Sequence, residues 1–306
     1  MGSRIESVAT ARSRTGIFGR GGLRLSDAAA RECLHRAHRK ADDLDLLVNA
    51  GMYKERNMAE PALASIIQED IGANPGHPSR RDRHGTFSFD VLNGACGVLT
   101  AAHLVDAFVG EGRARLGMIV AADADPSPRT SHGFPFTAVG GALLLEHTDG
   151  NEGFVAFDFR TFPELSDLFE VRLRFEPRTP GVFHRARNVI DVKESASFAS
   201  QCVRCANEVA RTFLERCGLG PPSVDLLVTS QYPPTFGEEL ARAMGIASDR
   251  LPHVSPELAL CHTAGPLAAL EGSIASGQLA RARHVLFVTA GAGITIGVAL
   301  YASFTD

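Results

Sequence analysis

The apolar positions of this chain follow two rhythms: short solid apolar runs, and longer runs in which apolar residues recur at helical spacing. Short runs are typical of buried strands, and the longer pattern is typical of amphipathic helices. In the first half the short runs predict strands at 42–51, 86–92, 116–124 and 139–147. The longer runs predict helices near 26–39, in SIIQEDIG and over 96–112. This alternation favours an α/β fold with a mostly parallel central sheet.

The second half repeats the scheme. Its longer runs predict helices over about 194–216, in FGEELARAM and over 265–277. Its short runs predict strands at 224–230, 284–291 and 294–301. Gly245 follows FGEELARAM directly, and glycine is a typical residue just beyond a helix end.

The two halves also resemble each other in detail. In each half a cysteine, an apolar helix, a glycine and an Arg-rich turn precede an apolar strand, and the spacing from Cys96 to Gly112 equals that from Cys261 to Gly277. A Gly-rich strand then follows in both, VGGALLLE or GITIGVALY. The repeat predicts a duplicated αβαβα layered fold with halves at 1–155 and 156–306, which a single Rossmann-type sheet would not produce.

Composition removes several classes of protein. The chain has 306 residues, of which 44% are hydrophobic and 22% charged, so a disordered chain or a coiled coil is not expected. A net charge of -4 gives no reason to expect nucleic-acid binding. No apolar run approaches the roughly 18 residues of a membrane helix, and no secretory signal is recognisable at the start, so we expect a soluble cytoplasmic protein. The six cysteines form neither a metal-ligand pattern nor a disulfide framework, so no metal is expected.

Three segments resemble the ketoacyl synthase III branch of the thiolase superfamily. They are FDVLNGACGVLTAAHLVDAFVGEG, which resembles the family's nucleophile turn and helix, SVDLLVTSQYPPTFGEELARAMGI, which resembles its histidine segment, and GAGITIGVAL, which resembles its closing hairpin. The similarity covers roughly residues 42–301, and the N-terminal region is shorter than is usual in the family.

The resemblance implies acyl transfer or condensation on acyl thioesters, carried by coenzyme A or an acyl carrier protein, with no separate cofactor. In such a site a cysteine at a helix N-terminus takes the acyl group as a thioester, because the helix end favours the thiolate. The resemblance also implies a dimer, homodimer or heterodimer with a homologue, in which the TFSFDVL strand pairs across a two-fold axis.

The catalytic positions depart from the family pattern. Counted without gaps, the family's Cys, His and Asn positions fall at Ala95, Ser230 and Leu260. A cysteine lies one residue late, at Cys96, and a histidine two late, at His262. We therefore predict Cys96 as the acyl-accepting nucleophile and His262 as its proton partner, with Ser230 holding the histidine or a water.

The predicted oxyanion hole consists of backbone N–H groups of Cys96 and of the glycine loop Gly291, Ala292 and Gly293. For Cys96 the alternative is a small core thiol, and for His262 a core or helix-cap histidine. Three further candidate site residues are Cys261, Glu60 and His132. For each of them the alternative is a structural or solvated side chain. A basic run, Arg80, Arg81 and Arg83, would meet an acidic carrier protein or form a solvated loop.

The predicted function is an acyltransferase or condensing enzyme of specialised metabolism. Simple acyl transfer needs only a thiolate, a base and an oxyanion hole, whereas decarboxylative condensation would also need the missing His and Asn. The rival prediction is a non-catalytic subunit that pairs with an active homologue.

Overall fold

The structure of the protein is a computed structural model, which describes residues 2–12, 21–54, 60–74, 85–126, 133–177 and 187–303. His132 and the basic run at residues 80–83 lie outside the described residues. The remaining predicted site residues can all be placed.

The first half forms a five-stranded sheet with two helices on one face and a third on the other. Its elements are β1 (Gly2–Arg12), α1 (Gly22–Arg36), β2 (Leu46–Asn49), α2 (Leu63–Ile71), β3 (Phe87–Asp90), α3 (Gly97–Gly110), β4 (Leu116–Asp123) and β5 (Val139–Thr148). The strand order is β1-β5-β4-β2-β3, in which β2 runs parallel to β3 and β4 while β5 runs antiparallel to its two neighbours.

The second half forms a four-stranded sheet and a separate hairpin. Its elements are β6 (Gly153–Thr161), β7 (Phe169–Glu176), β8 (Arg187–Glu194), α4 (Phe198–Arg216), β9 (Leu226–Thr229), α5 (Phe236–Met244), α6 (Gly265–Ala275), α7 (Gln278–Arg281), β10 (His284–Gly291) and β11 (Thr295–Ala302). The strand order is β6-β11-β10-β9, with β9 and β10 parallel and β11 antiparallel to both neighbours.

The two sheets confirm the predicted duplication. The order β6-β11-β10-β9 repeats β1-β5-β4-β2, strand for strand and in the same relative directions. Helices α3 and α6 share one core cluster with strands of both sheets, while α1 and α2 cover the outer face of the first sheet and α4 and α5 that of the second. The layers are therefore α, β, α, β, α.

Burial explains the composition of the central elements. Every residue of β4 is buried, which is why LGMIVAAD shows no polar alternation, as expected for a strand covered on both faces. Helix α3 is apolar over most of its surface because it lies between two sheets. These two elements end and begin at the candidate site.

Several strands had not been predicted. β1, β6, β7 and β8 lie in stretches where polar residues interrupt the apolar pattern, as in GSRIESVATAR and GFVAFDFRT. The predicted boundary between residues 155 and 156 falls inside β6, which belongs wholly to the second sheet. The chain passes from one sheet to the other between Thr148 and Gly153.

Strand β3 is the outer strand of the first sheet, with β2 as its partner. Phe87 on this strand is 57% exposed and Leu92 just beyond it is 58% exposed. The predicted two-fold pairing would cover an apolar sheet edge of this kind. The dimer itself stays a prediction. Among the described residues, no helix is both long and apolar enough to cross a membrane.

Candidate functional site

The turn that leads into α3 lies at the centre of the molecule. After β3 the chain forms a short 3-10 turn, Gly94–Cys96, whose first residue has a φ of 50°, a conformation that favours glycine. The other side of this turn faces the hairpin between β10 and β11. A Cβ built on Gly291 would lie 3.6 Å from both the Ala95 nitrogen and the Cys96 Sγ atom. The glycine loop and the turn Gly94–Cys96 therefore lie against each other.

Cys96 is sealed inside this contact. Its side chain is 0% exposed, and its Sγ atom lies 3.3 Å from the carbonyl oxygen of Thr295 and 3.7 Å from that of Thr289. Burial raises the pKa of Cys96 to about 11, so the group is a neutral thiol at neutral pH. This direction is opposite to the stabilised thiolate expected at this helix end, because desolvation outweighs the hydrogen bonds to the sulfur.

The backbone of Cys96 is also engaged. Its N–H donates to the carbonyl oxygen of Asn93 at 3.0 Å, within the 3-10 turn. This bond competes with the predicted donation to an oxyanion. The roles of Cys96 as nucleophile and as oxyanion donor stay predictions, which the observed contacts do not favour.

His262 is bound to a carboxylate that ends β4. Its Nδ1 atom lies 3.0 Å from Oδ2 of Asp123, and the same oxygen accepts hydrogen bonds from the Thr263 N–H at 2.9 Å and the Thr263 hydroxyl at 2.6 Å. The other oxygen, Oδ1, accepts from the backbone N–H groups of Met52 at 2.8 Å and Tyr53 at 2.6 Å. Asp123 comes from the first half and His262 from the second, so the pair joins the two halves.

These donors decide the charge of Asp123. Burial alone would raise its pKa, but the adjoining His262 charge and the hydrogen bonds from His262, Thr263 and Tyr53 outweigh it and lower the pKa below the usual range. The carboxylate is therefore ionised at neutral pH and can only accept hydrogen bonds.

The imidazole of His262 is held between aromatic rings. Phe136 stacks on it at 4.3 Å between centroids with an interplanar angle of 26°, and Tyr53 lies at 5.3 Å. The Nε2 atom lies 3.9 Å from the position that a Cβ on Gly94 would occupy. His262 is 7% exposed, whereas Cys96 is 0% exposed, so only the histidine retains contact with solvent.

The structure therefore places the two predicted partners on different sides of one turn. His262 faces Gly94 and is tied to Asp123, whereas the Cys96 thiol faces Thr289 and Thr295. A second difference concerns the helix starts. Cys96 directly precedes α3, whereas Cys261 and His262 lie in the turn before α6, which begins at Gly265 as predicted, with Pro266 in its first turn.

Ser230 lies at the end of β9. It is 1% exposed, its N–H donates to the carbonyl oxygen of Val288 at 3.2 Å, and its hydroxyl oxygen accepts from the N–H of Ala290 at 3.2 Å. These contacts tie Ser230 to β10. The predicted role in holding His262 or a water stays a prediction.

Ser230 also borders an open cleft of about 840 Å³ between α5 and the segment 251–260. Its walls are mainly apolar, with Pro233, Pro234, Phe236, Leu251, Val254 and Leu260 among them. Two of its lining residues, Thr235 and Leu260, have φ values of 61° and 63°, which are unusual for residues other than glycine. The cleft reaches Leu260, which shortly precedes His262.

The remaining candidates lie apart from this pair. Cys261 is 0% exposed and burial raises its pKa to about 12. Glu60 is exposed before α2. In the glycine loop, Gly291 pairs with Thr295 and Gly293 has a φ of 96°, while Ala292 is exposed. The oxyanion role of this loop stays a prediction.

Sequence reasoning missed Asp123, Thr263, Tyr53 and Phe136. One signal for Asp123 was present, since a lone carboxylate ends the otherwise apolar strand LGMIVAAD, and site residues often follow the carboxyl ends of strands. Its partner lies 139 residues away in sequence, so the pairing itself could not be inferred.

Known proteins resemble this chain over most of its length. The family described as 3-Oxoacyl-[acyl-carrier-protein (ACP)] synthase III C terminal matches residues 214–302. A β-ketoacyl-[acyl-carrier-protein] synthase III of Aquifex aeolicus is 21% identical over 276 residues, covering 90% of this chain and 82% of that protein. The corresponding protein of Chlorobium phaeovibrioides is 29% identical over 257 residues, covering 78% and 74%.

Solved structures show the same fold. A 3-oxoacyl-[acyl-carrier-protein] synthase III from Aquifex aeolicus superposes with a TM-score of 0.77 at 18% identity, covering 99% of this chain and 100% of that chain. Xanthomonas campestris OleA with bound lauric acid and lauroyl-CoA gives a TM-score of 0.79 at 13% identity, covering 99% of both chains. The resemblance to the ketoacyl synthase III branch of the thiolase superfamily is confirmed.

Proposed function

We propose that this ketoacyl synthase III-like chain of the thiolase superfamily transfers acyl groups from acyl thioesters, with His262 moving the proton. The observation that carries this proposal is the Asp123–His262 pair, buried where the two halves meet, with Nε2 directed at the turn before α3. A base held next to a substrate is the minimum that acyl transfer requires besides an oxyanion site.

The nature of the relatives supports acyl thioesters as donors. The curated relatives are β-ketoacyl-[acyl-carrier-protein] synthases III, and one structural neighbour holds lauroyl-CoA. We propose acyl-CoA or acyl carrier protein as the donor here. The thioester is itself an activated carbonyl, so the reaction needs no separate cofactor.

The cleft between α5 and the segment 251–260 supplies a place for one substrate. Its volume of about 840 Å³ lies within the range of small-molecule sites, roughly 300–1,000 Å³. Its mainly apolar walls suit an alkyl or pantetheine chain, and Ser230 and Gln231 are among its polar lining residues.

The residues at the family's catalytic positions favour simple transfer over decarboxylative condensation. Ser230 and Leu260 stand at the expected His and Asn positions, and neither can act as a base at neutral pH. The backbone N–H groups of Cys96 and of the loop Gly291, Ala292 and Gly293 remain our proposed oxyanion donors. These altered positions are also the reason for proposing a role in specialised metabolism. We propose that the chain works in the cytoplasm as a homodimer or heterodimer joined along β3.

The experiment is to incubate the protein with a series of acyl-CoA esters and acyl carrier protein thioesters and to measure thiol release. His262→Gln should lower the rate by about 10²–10⁴-fold, the usual contribution of a general base. His35→Gln, an exposed histidine in the last turn of α1, is the matched control and should not change it. Equal rates in wild type and His262→Gln would refute the proposal.

A second function is favoured by one specific observation. Ala95 stands at the usual nucleophile position, and the neighbouring thiol of Cys96 is sealed and neutral. A non-catalytic subunit would have these properties. In that case the chain alone would release no thiol from any thioester, and it would form a stable heterodimer with an active homologue through β3.

A further inference from the structure

The pair Asp123–His262 and the thiol of Cys96 differ in access and in partners. We propose that Asp123 holds His262 as a base that takes its proton directly from a hydroxyl acceptor, so that the acyl group passes from thioester to acceptor without an acyl-enzyme. This inference rests on the proposed function and adds to it the route and the class of acceptor. Asp123 acts through His262 and is therefore a positioning residue.

The hydrogen bonds of Asp123 define the tautomer of His262. Asp123 accepts hydrogen bonds from three backbone N–H groups, those of Met52, Tyr53 and Thr263, and from the Thr263 hydroxyl. An ionised carboxylate has no proton to donate, so the 3.0 Å contact with His262 requires a hydrogen on Nδ1. In the neutral ring Nε2 then carries a lone pair.

The contacts of the His262 ring fix the direction in which its Nε2 atom points. Stacking on Phe136 and contact with Tyr53 hold the ring plane, and the hydrogen bond to Asp123 fixes its rotation. Nε2 therefore faces Gly94, which has no side chain to cover it, and His262 keeps 7% exposure. Rigid support of this kind is what a general base requires, since misplacement lowers its efficiency.

The turn next to Nε2 shows no proton donor for this atom at residues 94–96. The residue after Gly94 is Ala95, which has none to give, and the thiol of Cys96 lies on the other side of the turn against Thr289 and Thr295. In direct transfer the proton comes instead from the acceptor molecule that enters the site. This is the difference from a thiol nucleophile activated by a neighbouring base.

The reaction balances without any further reactant. The acceptor oxygen attacks the thioester carbonyl while its proton passes to Nε2 of His262. The carbon–sulfur bond then breaks, and His262 returns the proton to the departing thiolate. The products are an ester and a free thiol. Water serves as the simplest acceptor and gives a carboxylic acid.

The route is tested with octanoyl-CoA, in water and with added 1-propanol. We would measure thiol release, ester formation and the intact mass of the protein. Direct transfer predicts no acyl adduct and a rate that Cys96→Ala largely keeps. An octanoyl adduct on the Cys96 peptide, together with loss of the rate in Cys96→Ala, would overturn the direct route and leave the proposed function standing. Absence of thiol release with every thioester would overturn both.

The role of Asp123 is tested separately with Asp123→Asn. We expect kcat to fall by about 10²–10⁴-fold with little change in KM, because the amide no longer enforces the tautomer. The matched control is Asp90→Asn, another largely buried carboxylate that holds Lys54 and the N–H groups of Leu63 and Ala64. It should keep wild-type kcat.

Nitrogen-15 spectra of labelled histidine give a readout that a purely structural role would not move. The wild-type protein should show His262 as the Nδ1–H form, which requires no variant and no turnover. Asp123→Asn should alter this signal, and Asp90→Asn should not. An Nε2–H form in the wild-type protein, or unchanged kcat in Asp123→Asn, would overturn the positioning role.

Discussion

The two turns that precede the central helices have the same place in the duplicated fold and different chemistry. Before α3, Cys96 is sealed and its thiol donates to backbone carbonyl groups of the second half. Before α6, His262 keeps slight exposure and binds Asp123 of the first half. Each turn is thus held by the opposite half, but only the second one presents a base.

This difference shows that position in a fold does not by itself make a residue reactive. A cysteine next to a helix N-terminus gains from the helix only while its sulfur stays solvated, and complete burial reverses the gain. A histidine needs a partner that defines its tautomer, which Asp123 provides from the end of β4. Substitutions at each turn test this difference.

The largest expected effect is on stability, from Asp123→Ala. This change removes the acceptor for the N–H groups of Met52, Tyr53 and Thr263 and for His262, all at the junction of the halves. We expect the free energy of unfolding to fall by about 3–5 kcal/mol, because several donors lose their acceptor at a cost of about 1–3 kcal/mol for each buried group left unsatisfied. Urea unfolding measures it. A loss below about 1 kcal/mol, the net value of one ordinary hydrogen bond, would contradict the anchoring role.

The next effect separates the two helix starts through their glycines. A Cβ on Gly265 would lie 2.7 Å from the backbone nitrogen of Gln231, whereas a Cβ on Gly97 would lie 3.2 Å from the carbonyl oxygen of Ala50. Gly265→Ala should therefore destabilise the protein by about 2–3 kcal/mol and Gly97→Ala by about 1 kcal/mol, within the range for overpacking. Thermal or urea unfolding of both variants gives the order. The reverse order would mean that the α6 turn is the looser one.

Much of the fold could be predicted because its signals are local. The apolar run of β4 and the spacing of α3 predict buried elements without knowledge of their neighbours. β1 could not be identified in this way, because its alternation is interrupted at a shift in pairing between Ile5 and Ser7. The hairpin β7–β8 was not predicted for a related reason: most of β7 is exposed, and charged residues lie between its apolar ones.

The candidate site was less accessible to sequence reasoning. His262 was found from its position near a predicted helix, but the registers of both turns depend on tertiary contacts. The thiol of Cys96, at the end of the 3-10 turn, contacts the carbonyl oxygens of Thr289 and Thr295. His262 faces Gly94 instead. Asp123 was overlooked because nothing in the sequence links it to a residue of the second half.

A smaller effect concerns how the stability contribution of Asp123 changes at acidic pH. The folded-state pKa of Asp123 is lowered, so its contribution to stability is present above its unfolded pKa, about 3.9, and is lost as pH falls through the folded value. The stability difference between wild type and Asp123→Asn should therefore be largest near neutral pH and shrink below about pH 4. Urea unfolding at several pH values tests this. The pKa of Asp90 is lowered too, because burial, which would raise it, is outweighed by hydrogen bonds from Lys54, Ala64 and Leu63. The stability difference between wild type and Asp90→Asn should therefore show the same pH dependence. A difference for Asp123 that stays constant into acid would mean that its carboxyl group is already protonated in the folded protein.

The smallest expected effect is on the order in which the cysteine thiols are alkylated. This order tests directly whether the turn before α3 excludes solvent from Cys96. Cys96 and Cys261 are buried, and burial raises the pKa of both, to about 11 and about 12. Cys217, at the end of α4, is the one cysteine with partial exposure. Because alkylation requires an accessible thiolate, iodoacetamide at mildly alkaline pH should modify Cys217 first and leave Cys96 and Cys261 unmodified in the folded protein. Peptide mass spectrometry over time gives the order, with urea-unfolded protein as the control in which all three react. If Cys96 were modified before Cys217, the turn before α3 would have to open in solution. The predicted acyl-accepting thiol would then regain its support against direct transfer at His262.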